Sequence, residues 1–327
     1  MSFFRTEVSF RGAETRVVES RLFSNPNKMV MAHRPEVYAR VSRFDLGGLT
    51  VGEVISSGHN VDVSEYMSNS LIVPLSGVIE CESKAGLNKA TTGEALFFSP
   101  NRRHTRVSAG KAATFKGIPL IISTDLMRAA FDRLGLSLPS AIEFDSLSLR
   151  MNGSRSAATA ELIQTVRTLH AEIDRGSVRI GNPASRAVWV EFIADKIVDA
   201  LQETGVLHAP VYHSDSSSYR SVRMALEYMR VSHGEIKDIP SVAKVCGVST
   251  RSLELAFKNV LETTPSKALL VIRLEAARKR LCDPNDEASV TEVALDCGFN
   301  HLSRFSAAYR EKFHELPSQT LGVWRKV

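Results

Sequence analysis

An eight-residue pattern occurs twice in the last third of the chain, and this repeat restricts the possible folds more than any other feature. Residues 242–249 read VAKVCGVS and residues 293–300 read VALDCGFN, at an offset of 51. After a one-residue slip, further positions match at an offset of 52: Leu253, Phe257 and 264–266 with Phe305, Tyr309 and 316–318. Each copy predicts a short helix, a tight turn at a glycine and a second helix. Two such helix-turn-helix units in tandem make double-stranded DNA the first partner to consider.

The positive charge of the chain is concentrated in the same region. The whole chain carries 41 Lys and Arg against 36 Asp and Glu, a net charge of +5. From Tyr219 to Val327 there are 17 Lys and Arg against 13 Asp and Glu, a net charge of +4. A DNA-binding domain is expected to hold such an excess because it must approach phosphates. The excess is small, so charge alone does not separate a DNA-binding domain from a basic enzyme.

The cysteines and the apolar segments argue against several protein classes. The chain has four cysteines and no C-x-x-C pair, which argues against a disulfide framework and a cysteine-rich zinc site. Cys246 and Cys297 occupy equivalent repeat positions, so we expect both to be small buried residues. The N-terminus lacks the apolar region of a signal peptide, and no apolar stretch reaches the ~18 residues of a membrane span. We therefore expect a cytoplasmic protein without a membrane partner.

Strand signals and then helix signals precede the repeat. The runs 51–55 (VGEVI) and 71–75 (LIVPL) are separated by glycine and serine turns, which predicts a small β-sandwich or β-barrel. After Ser154 apolar residues recur every three or four positions, which predicts two adjacent amphipathic helices. These helices either cover the open face of the β-domain or form a dimer interface, and the two roles are compatible.

The chain is therefore predicted to be an α+β protein of two domains. Residues 1–206 form the first domain, which is β-rich to about residue 125 and helical after about residue 154. Residues 207–218 (LHAPVYHSDSSS) lose periodicity and carry the proline and serine content of a linker. Residues 219–327 form an all-α domain that contains both helix-turn-helix units.

The helix starts of the repeat carry capping residues. Ser289 and Glu292 are spaced as a capping box, in which each side chain satisfies a free backbone amide. We expect Asp238 to cap the first helix of the first unit, and Ser249 and Asn300 to cap the second helix of each unit. The apolar positions are expected to form two small cores: Val242, Val245, Leu253 and Phe257 in the first unit, and Val293, Phe299, Phe305 and Tyr309 in the second.

Residues 219–325 closely resemble the DNA-binding domain of the AraC/XylS family of bacterial transcription regulators. The resemblance rests on residues 289–305 (SVTEVALDCGFNHLSRF), followed by Tyr309-Arg310 and the Leu-Pro-Ser triplet at 316–318. The XylS-like branch is the most similar one in the sequence of the second helix-turn-helix unit and in residues 317–321 (PSQTL). The order of β-rich domain, helices, linker and C-terminal reader is also similar to that of the family.

The resemblance implies a fold and a set of partners. The first domain is expected to be a cupin-like β-barrel or sandwich with dimerisation helices. The partners are expected to be promoter DNA, a small-molecule effector, RNA polymerase and a second copy of the chain, in a bacterial cytoplasm with nucleoid association when DNA is bound. One departure is visible: the family often has glycine shortly before each proline, where this chain has Glu262 and His314.

The resemblance also implies how DNA is read. The second helix of each unit enters a major groove, and a duplex turn of ~34 Å sets the separation of the two helices. We predict base-edge contacts from Arg251 and Arg304, because arginine binds guanine O6 and N7 with two hydrogen bonds; phosphate contact or a solvated face is the alternative for both. The other predicted DNA-binding residues are Ser249, Thr250, Glu254, Lys258, Asn300, His301, Ser303 and Arg310. Glu254 alternatively pairs with Lys258 at i, i+4.

Residues 93–104 resemble the turn and strand of the cupin-like sensor domains attached to such readers. The histidines show no H-x-H cluster, so we expect no metal and no cofactor. The resemblance then implies a small effector, commonly an aromatic acid or a sugar in this family. Arginines could neutralise a carboxylate, and the effector-binding residues that we predict are Arg40, Arg43, Tyr66, Arg102 and His104, with Arg103 and Phe98 as further candidates for the charge and the ring contact.

We therefore predict a sequence-specific DNA-binding transcription regulator, an activator controlled by a small-molecule effector. The alternative is a ligand-independent DNA-binding regulator whose first domain serves only oligomerisation or partner contact. The sequence contains no nucleophile elbow, phosphate-binding loop or H-E-x-x-H motif, so we expect no enzymatic activity. Because the second turn is longer than the first, the two units differ, and we expect an asymmetric operator rather than a palindrome.

Overall fold

The structure is a computed structural model of the 327-residue chain, and it divides into two compact units, Met1–Val211 and Tyr212–Val327. The residues that it describes are 6–12, 17–20, 22–23, 27–31, 37–65, 68–83, 86–111, 114–136, 148–204, 217–261, 263–283, 285–313 and 315–324. Glu262 and His314 lie outside them, as does most of the predicted linker. No helix in these ranges is long and apolar enough to cross a bilayer.

The first unit contains two antiparallel sheets. The seven-stranded sheet has the order β1 (Thr6–Gly12), β4 (Val37–Asp45), β5 (Leu49–Ser56), β12 (Phe115–Ser123), β7 (Ser68–Ser76), β10 (Glu94–Phe98) and β13 (Ser148–Asn152). The six-stranded sheet has the order β2 (Val17–Ser20), β3 (Asn27–Met31), β6 (Gly58–Glu65), β11 (Asn101–Ser108), β8 (Val78–Ser83) and β9 (Gly86–Ala90). This arrangement confirms the predicted α+β class, with the strands in two sheets.

Helices cover the outer face of the seven-stranded sheet. They are α1 (Thr124–Arg133), α2 (Ala157–Asp174), α3 (Val178–Gly181) and α4 (Pro183–Glu203). One apolar cluster joins these helices to strands β4, β5, β7, β10, β12 and β13, and two further clusters lie between the sheets. The first unit therefore has three layers, and both faces of its seven-stranded sheet are apolar because both are covered. The prediction that the two long helices cover the β-domain is confirmed.

The described part of the second unit is entirely helical. Its helices are α5 (Ser217–Ser232), α6 (Ile239–Val245), α7 (Thr250–Leu261), α8 (Pro265–Leu281), α9 (Val290–Asp296), α10 (Leu302–Phe313) and α11 (Pro317–Trp324). Helix α8 contacts α5 and α7, which precede it in the chain, and α9 and α11, which follow it. The two units of the repeat, α6–α7 and α9–α10, therefore share one connecting helix.

Candidate nucleic-acid interface and effector site

Capping side chains set the start of both helices of the first helix-turn-helix unit. Asp238 accepts a hydrogen bond from the Ser241 amide at 2.9 Å and begins α6. Ser249 Oγ accepts from the Ser252 amide at 3.1 Å and begins α7. Because these bonds satisfy amides that have no partner inside the helix, they fix where each helix starts. Both predicted caps are confirmed.

The two turns share one backbone geometry. Gly247 has φ +67° and Gly298 has φ +83°, a region that side chains disfavour. In the first turn the Val248 amide donates to the Ala243 carbonyl at 3.1 Å, and in the second the Phe299 amide donates to the Ala294 carbonyl at 2.9 Å. Each turn is therefore the glycine C-cap in which the chain folds back over the last helical carbonyls.

The one-residue slip of the repeat lies between the second turn glycine and α10. The capping box is present, with Ser289 and Glu292 bonded in both directions at 2.7 and 3.3 Å. The Phe305 amide donates to His301 O at 3.0 Å, as the Leu253 amide donates to Ser249 O at 2.9 Å in the first unit. His301 therefore holds the cap position, and the prediction for Asn300 was wrong by one residue because the extra residue follows the glycine.

Both small cores form, with one exception among the predicted residues. Val242, Leu253 and Phe257 are fully buried in the first helix-turn-helix unit. Val293, Phe299, Phe305 and Tyr309 are buried in the second helix-turn-helix unit. Cys246 and Cys297 are buried as predicted. The prediction was wrong for Val245, which is 49% exposed at the end of α6. The equivalent position in the second copy is Asp296, which is also exposed. The charged residue in the second copy therefore indicated that this position faces solvent in both copies.

A buried network of polar side chains holds the inward face of α10. Tyr309 Oη lies 2.9 Å from Thr320 Oγ1, which donates to Glu315 Oε1 at 2.7 Å. Glu315 in turn lies 2.8 Å from Arg278 of α8. Since all of these groups are held within the protein, the opposite face of α10 is the one left to meet a partner.

The predicted DNA-binding residues lie at the surface of α7 and α10 and of the turns before them. Thr250 is half-buried, and the other nine are exposed: Ser249, Arg251, Glu254, Lys258, Asn300, His301, Ser303, Arg304 and Arg310. Within the described residues, Glu254 and Lys258 do not form the ion pair that we considered for them. The side chains of both helices are therefore available to a partner in the way that the prediction requires.

The predicted effector-binding residues are not brought together. Arg40 lies on the helix-covered face of the seven-stranded sheet, where its Nη2 contacts Glu53 Oε2 at 2.9 Å. Arg43 instead contacts Asp45 at 3.4 Å. The two arginines of β4 thus have carboxylate partners in the protein and point to opposite faces of the strand.

The two other described residues of the predicted effector site lie on β11. Arg102 and His104 are exposed on the solvent face of β11, and His104 Nδ1 contacts the exposed Asp62 at 2.9 Å. Tyr66 lies outside the described residues. The four described residues of the predicted effector site therefore lie apart, because residues of one strand alternate between its two faces.

Arg103 is the inward-facing arginine that the prediction left out of its site. It is 1% exposed, and its guanidinium lies 4.4 Å from the ring centre of Phe98 and 5.2 Å from that of Phe23. Its Nη1 donates to Asn101 Oδ1 at 2.9 Å, whereas no described residue accepts a hydrogen bond from Nε or Nη2. Ser70, the β7 partner of Phe98, also has a buried hydroxyl without a partner among the described residues.

Burial disfavours the charged form of Arg103 and lowers its pKa. The buried Glu65 attracts this guanidinium but accepts no hydrogen bond from Nε or Nη2. A buried guanidinium with two free donors is unfavourable unless a further acceptor reaches it. The alternation of β11 could have identified this residue, since Arg103, Thr105 and Val107 are buried and Arg102, His104 and Arg106 are exposed. Val107 is the apolar member that shows which face is inside.

Glu53 is the centre of a charge network beneath α2. It is 2% exposed and lies 2.8 Å from Lys116 and 3.3 Å from His170, in addition to Arg40. Contact with His170 and with Lys116 holds the pKa of Glu53 at about 2, although burial alone raises it. Glu53, His170 and Asp174 offer ligand atoms within 4.8 Å of one another. Two cations already contact this carboxylate, so we interpret the group as an ion-pair network.

Glu53→Gln is expected to destabilise the first unit by about 3 kcal/mol at pH 7. Because the folded pKa of Glu53 is lowered, its contribution is complete above its unfolded pKa and is lost as the pH falls toward 2. Urea unfolding at pH 7 and pH 3 should therefore show a smaller difference at pH 3. Glu80→Gln, which breaks the exposed pair of Glu80 and Lys89, is the control and should change stability by less than about 1 kcal/mol. Equal effects of the two variants would contradict the buried network.

Several known proteins are similar to this chain. The family model described as "Helix-turn-helix domain" matches residues 242–322. The "Probable thc operon regulatory protein" of Rhodococcus erythropolis is 26% identical over 313 residues, which cover 94% of this chain and 92% of that protein. The "XylDLEGF operon transcriptional activator 1" of Pseudomonas putida is 47% identical over 81 residues, 24% of each chain. A crystal structure of the AraC-like transcriptional activator CuxR has 16% identity and a TM-score of 0.46, covering 80% of this chain and 86% of its own.

Proposed function

Because this chain belongs to the AraC/XylS family and is a DNA-binding transcription regulator, we propose that it reads an asymmetric operator with both helix-turn-helix units and activates transcription in response to a small-molecule effector. The observation that carries the first part is the repeated geometry of α6–α7 and α9–α10. Both units have the same glycine C-cap, and both leave the outer face of the second helix exposed. The extra residue before α10 makes the two readers different, which favours two different half-sites.

Arg304→Ala is expected to weaken binding to the specific operator by about 1–3 kcal/mol and to relax the preference at one base pair. Fluorescence anisotropy on an operator selected from random DNA, and on a scrambled duplex, measures this effect. Arg310→Ala on the same helix is the matched comparison: it should weaken binding to both duplexes and reduce the salt slope by about 1. An equal loss on both duplexes for Arg304→Ala would assign this arginine to phosphate contact instead.

Effector control is supported by Arg103. A carboxylate on an apolar or aromatic molecule would supply the acceptor that the two free guanidinium donors lack, and Phe98 would pack on its body. We therefore place the effector between the two sheets, at Arg103 and Ser70, rather than at the residues that the sequence suggested. A thermal-shift screen of small carboxylic acids against their amides tests this location, since a ligand of the folded state raises its stability.

A second copy of the chain and RNA polymerase are the remaining proposed partners. On α4, Val188 is 68% exposed and Phe192 is 45% exposed, one helical turn apart, and neither is needed to cover the sheet. This apolar pair is the contact that we assign to a homodimer. Sedimentation of the full chain tests it: a monomer at micromolar concentration would contradict it. The alternative of a ligand-independent regulator predicts a dimer that no carboxylic acid stabilises.

A further inference from the structure

Arg273 of α8 joins the first helix-turn-helix unit to the connecting helix. Its Nε donates to the His233 carbonyl at 2.9 Å, and its Nη2 donates to the Ile236 carbonyl at 2.5 Å. Both carbonyls lie in the segment between α5 and α6, which leads directly into the first unit. Hydrogen bonds from a charged donor are stronger than neutral ones, and the planar guanidinium fixes the direction of both.

The same guanidinium lies against the turn of the second unit. A Cβ placed on Gly298 would lie 2.8 Å from Cζ and from Nη2 of Arg273. The glycine at this position therefore serves the close approach of Arg273 as well as the positive φ of the turn. One side chain therefore contacts the segment before the first helix-turn-helix unit through hydrogen bonds, and the turn of the second helix-turn-helix unit through close packing.

A second close approach lies beside Arg273. A Cβ on Gly234 would lie 2.3 Å from the carbonyl oxygen of Asp296, at the end of α9. The backbone before α6 therefore contacts the backbone of the second helix-turn-helix unit, and no side chain fits between them. We call Arg273 and its contacts with His233, Ile236, Gly234 and Gly298 the inter-unit joint.

We propose that Arg273 is a positioning residue that fixes the separation of the two reading helices α7 and α10, and through it the spacing of the half-sites that the protein accepts. This inference rests on the proposed reading of DNA by both units. Two helices can occupy successive major grooves only when their separation matches a helical turn of ~34 Å. A joint that holds this separation in the free protein lowers the conformational entropy that is lost on binding, because the two helix-turn-helix units are already in position.

The separation is measured in the free protein, so that the joint is tested without DNA. Spin labels at the exposed positions Asn259→Cys on α7 and Ala307→Cys on α10 report the distance in the full chain. Cys282→Ser removes the half-exposed native thiol from the background. We expect a narrow distance distribution in the parent chain, and one at least about twice as wide in Arg273→Met, because both hydrogen bonds are lost.

Gly234→Ala keeps the proposal falsifiable if Arg273→Met fails to fold. Its methyl group would meet a backbone oxygen, so the mean distance between the labels is expected to shift. Lys279→Met is the matched control, because it removes one exposed positive charge from the same helix. A control that broadens the distribution as Arg273→Met does, or an Arg273→Met distribution as narrow as the parent, would overturn the joint.

Spacing preference is then measured on duplexes derived from the selected operator, with one or two base pairs inserted or removed between the half-sites. The parent chain should lose about tenfold in affinity or more with each change, and Arg273→Met about threefold or less. Unchanged spacing dependence in Arg273→Met would contradict the role in specificity. If removing one half-site leaves the parent's affinity unchanged, the two-unit reading of DNA is wrong, and the label distances alone then decide whether the joint exists.

Discussion

Phe305→Ala is expected to destabilise the second helix-turn-helix unit by about 3–5 kcal/mol, because it leaves a cavity where an aromatic ring is fully buried. The ring of Phe305 lies 4.8 Å from that of Phe299 and 5.5 Å from that of Tyr309. These rings join α10 to the turn before it, so their loss should release the reading helix. The effect is a large part of the stability of a domain of this size.

Hydrogen exchange of the full chain, read by mass spectrometry over α9 and α10, measures this change locally. Protection of these amides should fall by roughly 10²- to 5 × 10³-fold, while protection within Met1–Val211 is unchanged. Leu302→Ala is the matched control, since this apolar residue of the same helix is 41% exposed. A loss of protection below tenfold in Phe305→Ala, or an equal loss in the control, would contradict the proposed core.

Arg103→Met is expected to separate stability from effector response. Removing a buried charge with two free donors should leave the ligand-free protein at least as stable as the parent. The same change should abolish stabilisation by carboxylic acids, which for the parent is about 2.7 kcal/mol at a hundred times the dissociation constant. Thermal unfolding with and without benzoate and octanoate, each compared with its amide, measures both effects.

The outcome distinguishes three roles of Arg103. A variant that is destabilised by about 3–5 kcal/mol without ligand would show that the arginine is a structural partner, for instance of the buried Glu65. Arg102→Met is the control, because this neighbour faces solvent and should change neither quantity. If carboxylates stabilise the parent but do not alter its DNA binding, the site stands and effector control is wrong.

Local features of the fold were predictable because their causes are local. The caps at Asp238, Ser249 and Ser289, and the turns at both glycines, depend on hydrogen bonds between residues a few positions apart. The two errors in the repeat were local as well. Val245 was assigned to the core because it is apolar, although its equivalent in the second copy is the charged Asp296. Asn300 was assigned to the cap because asparagine is a common capping residue, although the offset of 52 aligns the cap Ser249 with His301.

The effector site that we propose was not predictable to the same degree. Arginines are common, and composition did not show which of the four candidate arginines would be buried; only the alternation of β11 distinguished Arg103 from Arg102. The environment of Arg103 comes from Phe23 and Phe98, which belong to different parts of the chain. Their meeting depends on strand order and register, which a single sequence does not specify.

The sequence by itself determined the two readers, their caps, their glycine turns and their resemblance to the AraC/XylS family, because helical periodicity and short-range hydrogen bonds depend on residues within a few positions of each feature. Only the tertiary structure decided which arginine enters the space between the sheets and how one reader is held against the other. Arg273 meets the carbonyl of His233 across 40 positions of the chain. Contacts of that range are set by the packing of whole elements, so they become visible only when the elements are in place.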